Sequence, residues 1–480
     1  MRSFTRRLMI PLAAAALLTG CATALVTVED EEQIGAKVAG DVLNQIGLYD
    51  SEGLQRYVTA VGNRLVAELG ETPYEFRFGV IEQFEPNAFA APGGYIFISR
   101  GLLSLMNSED ELAGVLAHEI SHVTERHFAR RAGRSVVPGL LSLPGKAVGV
   151  VSEDLGNLIN APIDVAGEVF IATYSRSQEL EADREGMRLA ARAGYDPVAL
   201  AAALDRLSKS VELATGESEK FRYTDSHPST PTRLADIDSE GGRLTFESRP
   251  TIAGDSGYFG QIDGLWWGLE VPSRGIFEGQ QFLHPDLNFT MTFPEGWETL
   301  NTPRFVGAVD REAPALIVAG GMYAPVDPAQ LGESLVEKMS EKGEMVPAEA
   351  RRVTIGTAKW PAYLVRFEDA TGDETVNIYY LFVTNPEMTF TVIGFGADRY
   401  RDVLQGAALS MRNLTEEERE SIAGLRVRIV EAQASESLDA LAERSDSVVS
   451  AQAIAVINGL DAGGELPTGQ AVKVILREPY

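Results

Sequence analysis

The chain has 480 residues, which at roughly 100–200 residues per domain makes room for several domains. With 45% hydrophobic and 23% charged residues it has a globular composition, which excludes a collagenous, coiled-coil or wholly disordered chain. Basic residues number 42 against 69 acidic, a net charge of −27 with no Lys/Arg-rich block to offset it, so nucleic acid is excluded as an expected partner.

Arg2, Arg6 and Arg7 precede an apolar run over 8–18, the charged-then-apolar layout of a secretory signal. At eleven residues that run falls short of the roughly 20 needed to span a bilayer as a helix. It ends in Leu18-Thr19-Gly20-Cys21, which resembles the lipobox of bacterial lipoproteins, and the chain's single cysteine sits there. The resemblance implies a signal peptide over 1–20 and a diacylated Cys21 as the membrane anchor. Two or three acyl chains hold a protein at a bilayer far more firmly than one. An exported chain without a cysteine pair must be stabilised by packing, with or without a metal.

From 29 to about 242 the pattern is helix-rich with a small β patch. Val58, Val61 and Leu65 recur at helical spacing, whereas Tyr74, Phe76, Phe78 and Val80 alternate as in a half-buried strand. The turn Pro92-Gly93-Gly94 leads into a second strand over 95–98. The fold class expected is α+β, with a first domain over 21–245. Helical periodicity lapses over 246–281, which reads as a connector. Over 282–415, β-branched and aromatic runs at 287–293, 315–318, 362–367, 376–383 and 389–395 predict an antiparallel sheet, with helices near 331–342 and 400–411. Its opening strand, Phe289 to Trp297, resembles that of PsbP-like and Mog-like folds. The last segment, 424–480, reads strand, helix, helix, strand. With Asn458-Gly459-Leu460 and Leu466-Pro467-Thr468-Gly469-Gln470 it resembles a LysM module, which implies binding of glycan strands such as peptidoglycan. The usual Gly-Asp-Thr after the first strand is replaced by Gln433-Ala434-Ser435-Glu436-Ser437, so a purely structural cap stays open as the alternative.

Three of the five histidines fall in the stretch from His118 to His127. Ser108 and Glu111 form a candidate capping box ahead of Leu112, Val115, Leu116 and Ile120, so the stretch should be helical. Residues i and i+4 share a helix face, which lets His118 and His122 direct imidazole nitrogens at one ion about 2.0–2.1 Å away. Glu119, one residue on, can take a proton from water without being a ligand. His127 lies five residues past His122, off the shared face, and reads as structural. Zinc with three protein ligands then needs one more. A second helix, with Ser175 at its start and Gly194 at its end, offers Glu179 and Asp183 at i and i+4. One carboxylate suits the ion and the other can accept a hydrogen bond from a ligating imidazole. Glu181, between them, points elsewhere. The Gly- and Pro-punctuated stretch over 132–164, between the two helices, reads as a lid or a surface excursion.

Over 31–238 these motifs resemble the gluzincin zinc metallopeptidase family that includes HtpX, the CAAX prenyl endopeptidase and BepA. The residues that carry the likeness are Asn87-Ala88-Phe89-Ala90-Ala91-Pro92-Gly93-Gly94, Gly101-Leu102-Leu103, His118-Glu119-Ile120-Ser121-His122, Ser175-Arg176 with Glu179 and Ala182-Asp183, and His227-Pro228 with Arg233. The resemblance implies one Zn2+ per chain on His118, His122 and Glu179, with Glu119 as general base and Asp183 orienting a ligand. It implies that Asn87 and the strand of Tyr95, Ile96 and Phe97 bind substrate, that strand being the sheet edge to which an extended peptide adds. His227 is then the histidine that steadies the oxyanion or plugs the open zinc position, and Arg233 either assists the oxyanion or braces its loop. The function expected is a lipid-anchored metalloendopeptidase of the bacterial envelope, on the periplasmic side and at the outer membrane. Its substrates would be misfolded or unassembled envelope proteins. The alternative is a chaperone or binding lipoprotein whose zinc is mainly structural, and an amidase acting on peptidoglycan is a third reading. Activity should fall at acid pH as His118 and His122 take up protons.

Overall fold

Serine side chains open several of the helices that build the first domain. Ser51 accepts the backbone N–H of Leu54 and Ser108 that of Glu111, satisfying donors that a helix start leaves without partners. The computed structural model describes residues 26–132, 174–213, 227, 231–341, 346–370 and 374–480. The signal segment, Cys21 and nearly all of the 132–164 stretch lie outside the described residues.

The first domain contains α1 (Val28–Gln45), α2 (Glu52–Val66), β1 (Arg77–Ile81), β2 (Ala88–Ala91), β3 (Tyr95–Ser99), α3 (Arg100–Leu105), α4 (Glu109–Thr124) and α5 (His127–Ala132). It continues through α6 (Arg176–Arg192), α7 (Ala199–Leu213) and α8 (Pro231–Gly241). Its sheet runs β1-β3-β2, with β1 parallel and β2 antiparallel to β3. The helices pack around Val58, Val61, Leu102, Leu112, Leu116, Ile120 and Leu204.

The stretch over 246–281 is no loose connector. It forms α9 (Gly257–Ile262) and β4 (Trp266–Trp267), and Ala253, Tyr258, Ile262, Leu265, Trp266 and Val271 are buried in the first domain's core. These apolar residues are too irregularly spaced for a periodicity reading, which is why the sequence resembles a linker.

Three strands, β5 (Ile276–Glu278), β6 (Gln281–His284) and β7 (Phe289–Thr292), form a small antiparallel sheet, so the middle domain starts before residue 282. Then come β8 (Glu298–Asn301), β9 (Phe305–Asp310), β10 (Ala315–Met322), α10 (Pro328–Glu341), β11 (Pro347–Ile355), β12 (Trp360–Asp369), β13 (Val376–Thr384), β14 (Thr389–Ala397) and α11 (Arg401–Leu409). The seven strands make one antiparallel sheet in the order β11-β12-β13-β14-β10-β9-β8. Alternation along β12 and β13 sends Val365, Phe367, Ile378 and Tyr380 to the face covered by α10, and Leu364, Tyr379 and Leu381 to the face covered by α11.

After α12 (Glu416–Ser421) come β15 (Ala423–Glu431), β16 (Glu436–Ser437), α13 (Leu438–Arg444), α14 (Ala451–Asn458), β17 (Glu465–Leu466) and β18 (Ala471–Pro479). β15 pairs antiparallel with β18 on one side and with β4 on the other, joining this module to the first domain by main-chain bonds. Val427, Ile457 and Ile475 belong to the first domain's core. No helix among the described residues is long and apolar enough to cross a membrane.

Candidate metal centre

His118, Glu119 and His122 lie on α4 and are fully buried. α6 crosses this helix closely because residue 186 is glycine: a Cβ there would stand 3.0 Å from the backbone nitrogen of His118. A capping box starts α6, with Ser175 and Gln178 exchanging side-chain and backbone contacts. Glu179 and Asp183, one turn apart, then face α4 and are both buried.

His118 Nε2 lies 3.0 Å from His122 Nε2 and 3.2 Å from His227 Nδ1. Glu179 oxygens lie 3.6 Å from His118 Nε2, 3.4 Å from His122 Nε2 and 3.1 Å from His227 Nδ1. All four donor atoms fall within 4.8 Å of one another. Four ligands at about 2.0–2.1 Å from a tetrahedral ion are separated by about 3.3–3.4 Å, and these separations bracket that value. The donor set fits zinc in kind as well, with three imidazoles and one carboxylate.

Both carboxyl oxygens of Glu119 are buried without a hydrogen-bond partner among the described residues, and His227 Nε2 stands 3.6 Å from one of them. A buried polar group left this way is costly unless a cation or a hydrogen-bonding partner faces it. Glu119 thus lies beside the donor cluster with its carboxyl oxygens committed to no hydrogen bond among the described residues.

The next shell is well defined. Asp183 Oδ1 accepts from His118 Nδ1 at 2.9 Å, which leaves Nε2 free to coordinate. Arg233, on α8, grips Asp183 with two bonds of 2.6 and 2.7 Å, stands 3.2 Å from Glu179, and donates to the His227 carbonyl at 3.2 Å. Tyr174 stacks on the His122 ring at 3.9 Å, the two planes 23° apart.

Burial opposes charge on His118, but the carboxylates of Asp183 and Glu179 outweigh it and raise its pKa to about 9. His122 is held well below the ordinary range by burial, with His118 and His227 adding to the effect and Glu179 opposing it. Burial also opposes charge on Glu179, yet His227, His118 and His122 bring its carboxyl far below the usual range. Asp183 is lowered too: burial works against it and is overcome by Arg233 and His118.

His118, His122, Glu179, Glu119, Asp183, His227 and Arg233 all meet here. The strand of Tyr95, Ile96 and Phe97 does not supply a free edge. β3 is the central strand, paired with β1 and β2, so its main-chain groups are used on both sides. The edge next to α4 is β2, directly after Asn87, whose carbonyl accepts from Ser99 N–H. The Gly93 turn returns the chain so that the second strand of the hairpin goes inside. Asn87 itself is buried, with its Oδ1 unpartnered among the described residues.

His127 and Glu181 are not among the donor atoms, yet both stand directly behind the site. α4 ends at Thr124, capped by Glu125, and Arg126 takes φ +51°, so the regular 100° per residue stops applying before His127. His127 turns back under His122, their Nδ1 atoms 2.8 Å apart, and its Nε2 lies 3.2 Å from Glu181. The signal available in the sequence was a third histidine just past HExxH, together with an acid between Glu179 and Asp183.

A buried HExxH pair with a distant carboxylate defines the class of zinc metallopeptidase sites. The chain carries a domain of that class in particular: residues 52–241 match the model of Peptidase family M48. Curated relatives agree. The beta-barrel assembly-enhancing protease of Yersinia pestis is 30% identical over 217 residues, covering 44% of this chain and 43% of that protein. The Escherichia coli protein of the same name is 28% identical, covering 48% and 47%. The mitochondrial metalloendopeptidase OMA1 of Schizosaccharomyces pombe is 28% identical, covering 44% and 61%. The chain thus spans less than half the length of the first two of these relatives. Among solved structures, cyanobacterial PsbP from Synechocystis aligns with 29% of this chain and 95% of that one at 12% identity and a TM-score of 0.24, too low to assign a fold.

Proposed function

We propose that the protein is a zinc metalloendopeptidase of the bacterial cell envelope. In this reading it is anchored by lipid at Cys21 on the periplasmic side, at the outer membrane, and cuts misfolded or unassembled envelope proteins. The observation that carries it is the cluster of His118, His122, Glu179 and His227 donor atoms within 4.8 Å, beside Glu119, whose carboxyl oxygens have no hydrogen-bond partner among the described residues. The names of the bacterial relatives suggest substrates among proteins destined for β-barrel assembly.

His118, His122 and Glu179 would hold the ion, which when bound acidifies water and polarises a peptide carbonyl. Glu119 accepts the proton from the attacking water and returns it to the leaving amine. Asp183 fixes the His118 tautomer, and Arg233 holds Asp183 and the His227 loop. His227 supplies the fourth donor at rest and withdraws when substrate enters. An extended substrate adds to the outer edge of β2 by main-chain hydrogen bonds. The βααβ end, 424–480, is assigned as a LysM-like module that contacts peptidoglycan or serves as a cap on the peptidase domain.

Filling of the fourth corner by His227 favours one second reading, a binding lipoprotein with a structural zinc. Metal analysis of the mature chain beside casein cleavage, with and without chelator and in parallel on Glu119→Gln, separates the two. Zinc retained with turnover abolished in Glu119→Gln supports the peptidase. Zinc present without chelator-sensitive cleavage in the wild type favours the binding protein.

A further inference from the structure

Each of the two helix-borne imidazoles has a different partner behind it. Behind His118 stands Asp183, while behind His122 stands His127, backed in turn by Glu181 and Arg130. We propose that His127 and Glu181 form a positioning relay that fixes the tautomer and ring orientation of His122 and thereby tunes its grip on the metal. The proposal rests on the reading of this cluster as a zinc site.

The argument is one of donors and acceptors. Nε2 of His122 faces the other ligand atoms, so it must carry a lone pair and the ring hydrogen must sit on Nδ1. That Nδ1–H points at His127 Nδ1, 2.8 Å away, which must then be the acceptor. A neutral ring with a lone pair on Nδ1 carries its hydrogen on Nε2, and His127 Nε2 meets Glu181 at 3.2 Å. Glu181 accepts, and also accepts from Arg130. Every hydrogen in the series is assigned one way only: His122 to His127, His127 to Glu181, Arg130 to Glu181.

The elements are built to hold this geometry. His127 is fully buried and its carbonyl accepts from Gln178 Nε2 at 2.9 Å, tying the start of α5 to α6. The left-handed residue Arg126 is fastened by Glu31 and the Val26 carbonyl, which sets the bend that brings His127 back. Tyr174 stacks on the face of the His122 ring, while His127 meets that ring at its Nδ1 edge. The relay ends near solvent, since the Glu181 and Arg130 side chains are 37% and 41% exposed.

The test compares zinc affinity of the full mature chain, by competition with a chromophoric chelator, and the visible spectrum of the cobalt(II) form. His127→Leu fills the site without an acceptor and is expected to weaken zinc binding about 10- to 100-fold and alter the cobalt bands, as loss of a partner behind a ligand does. His127→Asn, whose Oδ1 can stand where Nδ1 stood, should restore most of both. Wild-type zinc affinity and spectrum in folded His127→Leu would overturn the relay while leaving the zinc reading intact. A wild-type chain that takes up no zinc would overturn both. If His127→Leu does not fold, the partly exposed Glu181→Ala decides: several-fold weaker zinc binding supports the relay, and unchanged affinity overturns it.

Discussion

Lys473, in the closing strand β18, donates from Nζ to the carbonyl oxygens of Ser104 and Met106 at 2.8 and 2.9 Å, just ahead of the helix that carries His118 and Glu119. Next to it, Asn107 donates to the carbonyl of Asn458 at 2.7 Å. The end of the chain therefore holds the start of the HExxH helix, and the two regions share a core through Val427, Ile457 and Ile475. Unfolding followed by calorimetry should show the first domain and the C-terminal module melting in one transition.

Lys473→Met keeps the apolar stem but strands two acceptors, and should destabilise that transition by about 1–3 kcal/mol in urea titrations. The amine is fully buried, and burial with Arg206 nearby holds its pKa well below the usual range, Glu111 opposing. The unfolded chain then binds the extra proton over the interval below about pH 10, so the contribution of this group to stability grows as pH rises through it. That slope should be absent from Lys473→Met.

Arg233 and Asp183 are a buried pair in which each partner is 3% exposed at the side chain. Arg233→Met leaves Asp183 without its guanidinium and should cost about 3–5 kcal/mol, the penalty of breaking rather than replacing a buried ion pair. Zinc content should fall with it, since Asp183 orients His118 and Arg233 also holds the His227 carbonyl. Arg233→Lys should not restore the wild type, because the ammonium lacks the two-pronged geometry.

How much of this was legible in the sequence depends on whether the signal was local. His118, Glu119 and His122 follow from helical spacing, and Glu179 with Asp183 from the same rule on a second helix. The capping box was half legible: Ser108 accepts from Glu111 N–H as expected, but the Glu111 carboxylate reaches Asn107 N–H and Arg206 instead of closing back on Ser108. The place of His127 behind His122 was not legible because a single left-handed residue, Arg126, resets the helical phase, and no residue preference announces φ > 0 at an arginine. The order of strands β1, β3 and β2 was illegible because the sequence shows a strand at 95–98 but gives no signal for Ala88–Ala91 as its partner, and only pairing decides which lies inside.

His227 reaches the cluster through Nδ1, 3.2 Å from His118 Nε2, and with it the donor set has four members. His227→Ala leaves the three donors His118, His122 and Glu179, which suffice for a catalytic zinc site. The expected outcome is retained zinc by metal analysis and faster casein cleavage than wild type. Slower cleavage with full zinc occupancy would instead assign His227 to transition-state stabilisation.

The middle domain has its own acid sensitivity. His284 stacks near Phe289 and accepts the Leu287 N–H through Nδ1 at 3.3 Å, a role open only to the neutral ring. Burial lowers its pKa to about 4, Asp286 opposing. Below about pH 6.5 the unfolded chain takes up a proton that the folded one refuses, so stability falls with pH through that interval and the loss is complete near pH 4. The loss should be on the order of 2–3 kcal/mol. His284→Asn keeps an acceptor without titrating, and the difference between the two proteins in melting temperature against pH should vanish above pH 7 and widen towards pH 4.

The edge strand β2, paired on one side only among the described residues, gives the most direct check on the proposed mode of substrate binding. Ser99 N–H donates to the Asn87 carbonyl, making that pair hydrogen-bonded; alternation along an antiparallel ladder then turns the main-chain groups of Ala88 and Ala90 outward. Proline is tolerated on an edge strand where its missing N–H faces away from the ladder. Ala90→Pro should therefore leave thermal stability nearly unchanged while raising KM for an extended peptide substrate, with kcat less affected. The equivalent change at Phe89, whose N–H points into the ladder towards Phe97, should instead destabilise the sheet. If Ala90→Pro cleaves with wild-type KM, substrate does not add to this edge.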